Sequence, residues 1–360
     1  MKSTTPRGRL AAAVLTLATT LVLGLVSALT LAVPAHAAGG SYVALGDSYS
    51  SGTGTRTYIN DGTSCQRSVY AYPSLDAAAL GLSLTFRACS GATVADVTNT
   101  QLSALTTSTN FVTISVGGND AGFADVLTEC ALPGWMSNCN GAIDDAQYII
   151  NYVLPSRLSS LYGSIRAKAP NAKVIVVGYP RIFMGEDCNA FTWFSPSEQS
   201  RLNYTADLLN SRTYSAARAR GFTFVNPTSR FIGHAVCNDV EWINGLSYPI
   251  SESYHPNVAG HRDGYAYLTK PVFGVTASSS AATTLSASAL AEDAKRYAAL
   301  DRRIKPKEFV APDLTTPRAK AAAAAAGVDL SSRASIDRAD RIWSERQAAE
   351  LAGRAASRAG

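Results

Sequence analysis

A three-layer α/β/α sandwich with a five-stranded parallel sheet is the fold class this sequence predicts, and three observations carry it. Five short runs rich in Val, Ile, Leu and Phe recur along the chain, at 42–45, 82–87, 111–116, 173–177 and 222–225. Helix-compatible stretches fall between them, at 70–80, 93–105, 142–169 and 196–220. Strands alternating with helices return by right-handed crossovers, which make a parallel sheet covered on both faces. Finally, Ser48, Gly91, Asn119 and Tyr179 each follow such a run. That is the carboxyl end of a strand, where sheets of this kind hold their ligands.

Taken in order, the chain opens with Lys2, Arg7 and Arg9 ahead of an apolar stretch from Leu10 to Val33 and an Ala35-His36-Ala37 site. A basic start, an apolar middle and small residues before a cut describe a secretory signal peptide, assigned to 1–37. The stretch is also long enough to span a bilayer, but the Ala-x-Ala site and the following Gly39-Gly40-Ser41 favour cleavage and a secreted product. Removing three of the charges behind the net +5 leaves about +2, which gives no footing for nucleic-acid binding.

The first strand runs into Gly46-Asp47-Ser48. A serine on a glycine-bearing turn past a buried strand is where an α/β hydrolase presents its nucleophile, though the tripeptide is also an ordinary turn. The second strand leads to Ser90-Gly91 and the third to Gly117-Gly118-Asn119-Asp120; near the end of the globular part stands Ser253-Tyr254-His255-Pro256. Six cysteines, Cys65, Cys89, Cys130, Cys139, Cys188 and Cys237, make an even count in an exported chain and imply disulfides. Their 15 possible pairings stay open, with the sequential set favoured. No closely spaced ligand pattern such as C-x-x-C occurs, so no metal or other cofactor is expected.

After Gly274 the composition changes. A Ser/Ala/Thr-rich stretch at 278–288 reads as a linker. Beyond it, 289–303, 319–326 and 336–352 favour helices, yet large apolar residues are sparse. The segment 275–360 is therefore expected to be a low-complexity, partly helical, solvated tail behind a hydrolase domain at 38–274.

Gly46-Asp47-Ser48, Gly91, Gly117-Gly118-Asn119-Asp120 and His255-Pro256 stand in the order of the four sequence blocks of the SGNH, or GDSL-type, hydrolases, and the chain resembles that family from about Ser41 to Gly274. It is most similar to the secreted actinobacterial esterases, lipases and phospholipases with three disulfides. Tyr49 stands where the family's older name places Leu. The resemblance implies a flavodoxin-like sheet and a serine ester hydrolase in which Ser48 is the nucleophile and His255 the base. It implies oxyanion donors from the Ser48 and Gly91 backbone N–H groups and the Asn119 side-chain amide. The group steering the imidazole is left between two candidates. Glu252 stands where many relatives carry Asp, whereas the secreted branch uses a backbone carbonyl two residues before the histidine, here Ser253, which is favoured. His261 is expected to be structural, His234 has no assigned partner, and Tyr49, Tyr179 and Trp135 are candidates for the substrate pocket.

The expected activity is hydrolysis of carboxylic esters, with lipid esters the favoured substrates, by a monomer that touches a lipid interface only transiently. A carbohydrate or cell-wall acetyl esterase and, from another class, a non-catalytic exported binding protein are the rival readings.

Overall fold

The computed structural model describes Met1 and residues 39–275 and 285–359. The signal-peptide assignment at 1–37 and most of the linker lie outside the described residues. Five strands, β1 (Gly39–Gly46), β2 (Leu82–Phe86), β3 (Phe111–Ser115), β4 (Lys173–Val177) and β5 (Thr223–Val225), form one parallel sheet in the order β2-β1-β3-β4-β5. Helices cover both of its faces, which is why Val112, Ile114, Ile175, Val176 and Val177 are all sealed from solvent and the strands read as continuous apolar runs.

The register puts Leu45 beside Ile114 and Gly46 beside Ser115, so β1 and β3 end together. Their carboxyl ends carry the two turns that matter most, 46–48 and 117–119. The main helices are α1 (Tyr72–Leu80), α2 (Phe123–Cys130), α3 (Cys139–Tyr148), α4 (Leu154–Lys168), α5 (Pro196–Arg218) and α6 (Tyr267–Phe273). A wide helical turn at Ile149–Val153 joins α3 to α4 without a break, just before Pro155, whose ring nitrogen cannot donate. α5 starts with a capping box, Ser195 and Glu198 each bonding the other's backbone N–H. The cysteines pair as Cys65–Cys89, Cys130–Cys139 and Cys188–Cys237.

The C-terminal segment differs from the solvated tail expected of it. It forms α7 (Ala287–Lys295), a short turn of helix at Ala298–Asp301, α8 (Pro317–Ala326) and α9 (Arg333–Ala359), and it packs along the hydrolase part. Its few large apolar residues are spent on contact: Leu290, Ile304 and Phe309 join the main core, while Val328 and Ile336 pack with Trp135 and Trp193. The alanines that suggested low complexity let helices approach closely, and Ala294, Ala298, Ala319 and Ala323 are buried. Charge completes the docking. Asp301, fully buried, pairs with the equally buried Arg67 at 2.6 Å and Arg87 at 2.8 Å, and Tyr297 lies 4.0 Å from the Arg87 guanidinium. Arg67 also pairs with Asp61 at 2.6 Å, so removing Asp301 leaves Arg87 buried without a counter-charge, a loss that typically costs about 3–5 kcal/mol.

Candidate active site

The turn after β1 is built around Asp47. It caps the single helical turn Ser48–Ser51, with Oδ1 accepting from the Tyr49 N–H at 3.0 Å, and Oδ2 accepts from the Tyr179 hydroxyl at 2.5 Å. Burial pushes the Asp47 carboxyl up to about 7, against the opposing pull of the Tyr179 hydrogen bond. Gly46 has φ +123°, and a Cβ there would stand 2.3 Å from the Ser115 carbonyl oxygen, so only glycine lets β1 run this close to β3. Gln101, fully buried, clamps the same residue: its Oε1 accepts from the Gly46 N–H and its Nε2 donates to the Gly46 carbonyl, both at 2.8 Å. Sequence reasoning missed Gln101 because its partner is backbone and leaves no side-chain pattern to find.

Ser48 is thereby aimed at His255. The Ser48 Oγ lies 2.9 Å from His255 Nε2, and His255 Nδ1 lies 2.9 Å from the Ser253 carbonyl oxygen. A carbonyl can only accept, so Nδ1 carries the proton and Nε2 is left free to accept from the serine hydroxyl. Tyr254 has φ +61°, rare for a large side chain, and this left-handed residue turns the Ser253 carbonyl back toward the ring. It is held there by burial of its own ring, by the Tyr49 hydroxyl donating to its carbonyl at 2.8 Å, and by its N–H donating to Asn244. The rings of Tyr49 and Phe123 pack beside the imidazole at 5.4 and 6.0 Å between centroids. Packed protein around His255 lowers its pKa to about 4, with the Ser253 carbonyl opposing that shift.

Glu252, the rival for steering the imidazole, is engaged elsewhere. Its Oε1 accepts from the Tyr58 hydroxyl at 2.6 Å, and Arg56 Nε stands 3.5 Å from Oε2. Gly91, with φ +80°, and Asn119 line the same small cleft as Ser48, Ser253 and His255. Asn119 donates one amide hydrogen to the Ala92 carbonyl at 3.1 Å, which orients the amide and leaves its second N–H available. Asp120 beneath it is tied to the Val94 N–H at 2.8 Å and to Arg157 at 3.1 Å.

Of the pocket candidates, Tyr49 and Tyr179 line an apolar cavity of about 70 Å³ with Phe123, Val126, Leu127, Ile150 and Leu209. Phe123 also borders the cleft that holds Ser48 and His255. Trp135 lies apart, against Trp193 and the C-terminal segment, because α2 ends before it and turns it away. His261 is buried and accepts from the Tyr72 N–H at 3.3 Å, as a structural histidine does, and His234 stacks on Trp242 at 3.7 Å.

A family model described as the GDSL-like lipase/acylhydrolase family matches residues 44–262. The curated protein "Lipase 1" of Streptomyces coelicolor is 43% identical over 252 residues, covering 68% of this chain and 92% of that one. Among solved structures, an extracellular lipase from Streptomyces rimosus superposes with a TM-score of 0.61 at 39% identity, covering 66% of this chain and 100% of its own. A phospholipase A1 from Streptomyces albidoflavus does so with a TM-score of 0.61 at 41% identity, covering 66% and 99%.

Proposed function

Because the chain belongs to the GDSL-like lipase/acylhydrolase family and is a carboxylic ester hydrolase directed at lipids, we propose that it acts through an acyl-enzyme on Ser48, with His255 as its base and the Ser253 carbonyl as the group that steers the imidazole. The observation that carries this reading is the continuous path from Ser48 Oγ through the imidazole to the Ser253 oxygen, each step 2.9 Å.

His255 Nε2 takes the Ser48 proton as Oγ attacks the ester carbonyl carbon. The carbonyl oxygen becomes an oxyanion, received by the Ser48 and Gly91 N–H groups and the free amide hydrogen of Asn119. As the tetrahedral adduct collapses, the imidazolium returns the proton to the leaving alcohol and the acyl group stays on Ser48. Water then enters by the same path, with His255 taking its proton, and the carboxylic acid leaves with Ser48 regenerated. The Ser253 carbonyl holds the tautomer and the ring plane, and stabilises the imidazolium as a dipole, less than a carboxylate would.

The apolar side chains lining the cavity bordered by Phe123 match the chemistry of an acyl chain, and the lipase and phospholipase relatives support acylglycerols or phospholipids over carbohydrate acetates. Export fits the apolar leader, the three disulfides and the extracellular relative. The working form is a monomer that meets the lipid surface transiently.

The test pairs a p-nitrophenyl ester series, acetate to palmitate, with fluorophosphonate labelling of the wild type and Ser48→Ala. The expected result is turnover of chains longer than acetate and labelling confined to Ser48. Activity on acetate alone would favour the acetyl esterase. Turnover or labelling that survives undiminished in folded Ser48→Ala would remove the mechanism.

A further inference from the structure

The cleft holding Ser48, Gly91, Asn119 and His255 is closed by residues from far along the chain: Lys307, Glu308 and Phe309 form its outer wall. What remains is about 20 Å³. That is room for about one water molecule and not for an ester with its alcohol and acyl arms. Phe309 is 5% exposed and stands edge-on to Tyr254 at 5.0 Å between centroids, on the residue that turns the Ser253 carbonyl toward His255. Pro306 covers Gly91 so tightly that a Cβ on that glycine would lie 2.3 Å from the Pro306 Cα. The Cβ side of Gly91 is taken by this stretch.

The way this stretch is held separates it from its flanks. Before it, Asp301 is locked to Arg67 and Arg87, and Ile304 is 1% exposed. After it, α8 and α9 pack on Trp135 and Trp193, with Arg318 pairing with Glu129 at 3.1 Å and Asp340 accepting from the Gly134 N–H at 2.7 Å. Between these anchors, residues 304–313 have no regular secondary structure. The stretch is tied to α2 by the Val310 N–H to Thr128 Oγ1 at 2.9 Å and by Lys307 Nζ to Asp125 Oδ2 at 2.5 Å. The second tie is solvent-exposed and therefore weak. The family match ends at 262, so the whole arrangement is an addition to the part of the chain shared with the family.

We propose that 305–310 is an autoinhibitory strap, anchored firmly at both ends, that occupies the substrate side of the Ser48 site and must bow outward before an ester can bind. This rests on the reading of Ser48 as the nucleophile. The enzyme is latent while Phe309 is seated, and its apparent activity is scaled by the fraction of molecules with the strap open. The anchors stay in place during opening, because releasing Asp301 would strand Arg87 without its carboxylate.

The test uses the full chain and reads the second-order rate of fluorophosphonate labelling at Ser48 together with kcat/KM on p-nitrophenyl butyrate. Phe309→Ala should raise both by at least tenfold over the wild type. Lys307→Glu, a surface change with little risk to folding, should raise both about threefold by repelling Asp125, and adding Asp125→Lys should return them to the wild-type values. Hydrogen exchange should show loss of protection confined to 304–313 in Phe309→Ala, with 296–302 unchanged. Equal rates in wild type, Phe309→Ala and Lys307→Glu would overturn the strap while leaving the Ser48 mechanism standing. If Phe309→Ala loses protection at 304–313 yet Ser48 still fails to label, the nucleophile assignment falls, and the strap with it.

Discussion

Replacing Glu252 by Gln separates the two candidates for steering His255, and its consequence can be worked from the contacts. The carboxylate meets the Tyr58 hydroxyl at 2.6 Å and Arg56 Nε at 3.5 Å, while the imidazole Nδ1 meets the Ser253 carbonyl at 2.9 Å. Glutamine keeps an oxygen for Tyr58 but loses the charge, so a charge-assisted bond of about 1.5–3 kcal/mol falls to an ordinary one of about 0.5–1.5 kcal/mol. The Arg56 side chain is 63% exposed, so its pair adds little. The expected outcome is about 1 kcal/mol of stability, a fall in Tm of about 2–4 °C, with kcat/KM on p-nitrophenyl butyrate within about threefold of wild type. His255→Gln measured alongside should lose about 10⁶ in turnover, as removal of a triad base does. Steady-state kinetics and thermal unfolding on the same preparations decide it. A folded Glu252→Gln enzyme that loses 10²-fold or more would show that a carboxylate steers the imidazole and that the Ser253 carbonyl does not suffice.

Asn119→Ala should lower kcat by about 10²–10³ with little change in KM, because the amide bonds the oxyanion more strongly than the ground-state ester. The pH dependence of kcat/KM should show its acid limb near 4, where burial places the His255 imidazole, and stay flat up to neutral pH; a limb near 6.5 would show an open, solvated site. His255 and His261 also bear on stability: with folded pKa values lowered to about 4 and about 3, they contribute stability that is fully present above the unfolded value of 6.5 and is lost as pH falls through 4 and 3. Denaturant midpoints between pH 7 and 3 should therefore fall less in His261→Asn than in wild type. Ala206→Phe, on the α5 wall of the apolar cavity, should cut the palmitate-to-butyrate ratio of kcat/KM by about tenfold, and an unchanged ratio would place the acyl chain elsewhere.

Sequence by itself determined whatever repeats locally or follows from compartment. Strand and helix alternation and the residues just past each strand act over a few residues, so the sheet and the positions of Ser48, Gly91, Asn119 and His255 were legible. Tertiary structure decided the contacts that join backbone to side chain or distant stretches to each other. The Ser253 carbonyl reaches the imidazole only because Tyr254 adopts a left-handed conformation, and no residue type announces that for a tyrosine. Gln101 clamps a backbone 55 residues away. The C-terminal segment looked too poor in large apolar residues to fold. It packs because the hydrolase part supplies the other half of its core and two buried arginines that require Asp301. Burial and charge pairing belong to both partners of a contact, so a composition read from one side could not reveal them, nor that the same docking brings Phe309 to the cleft that holds Ser48.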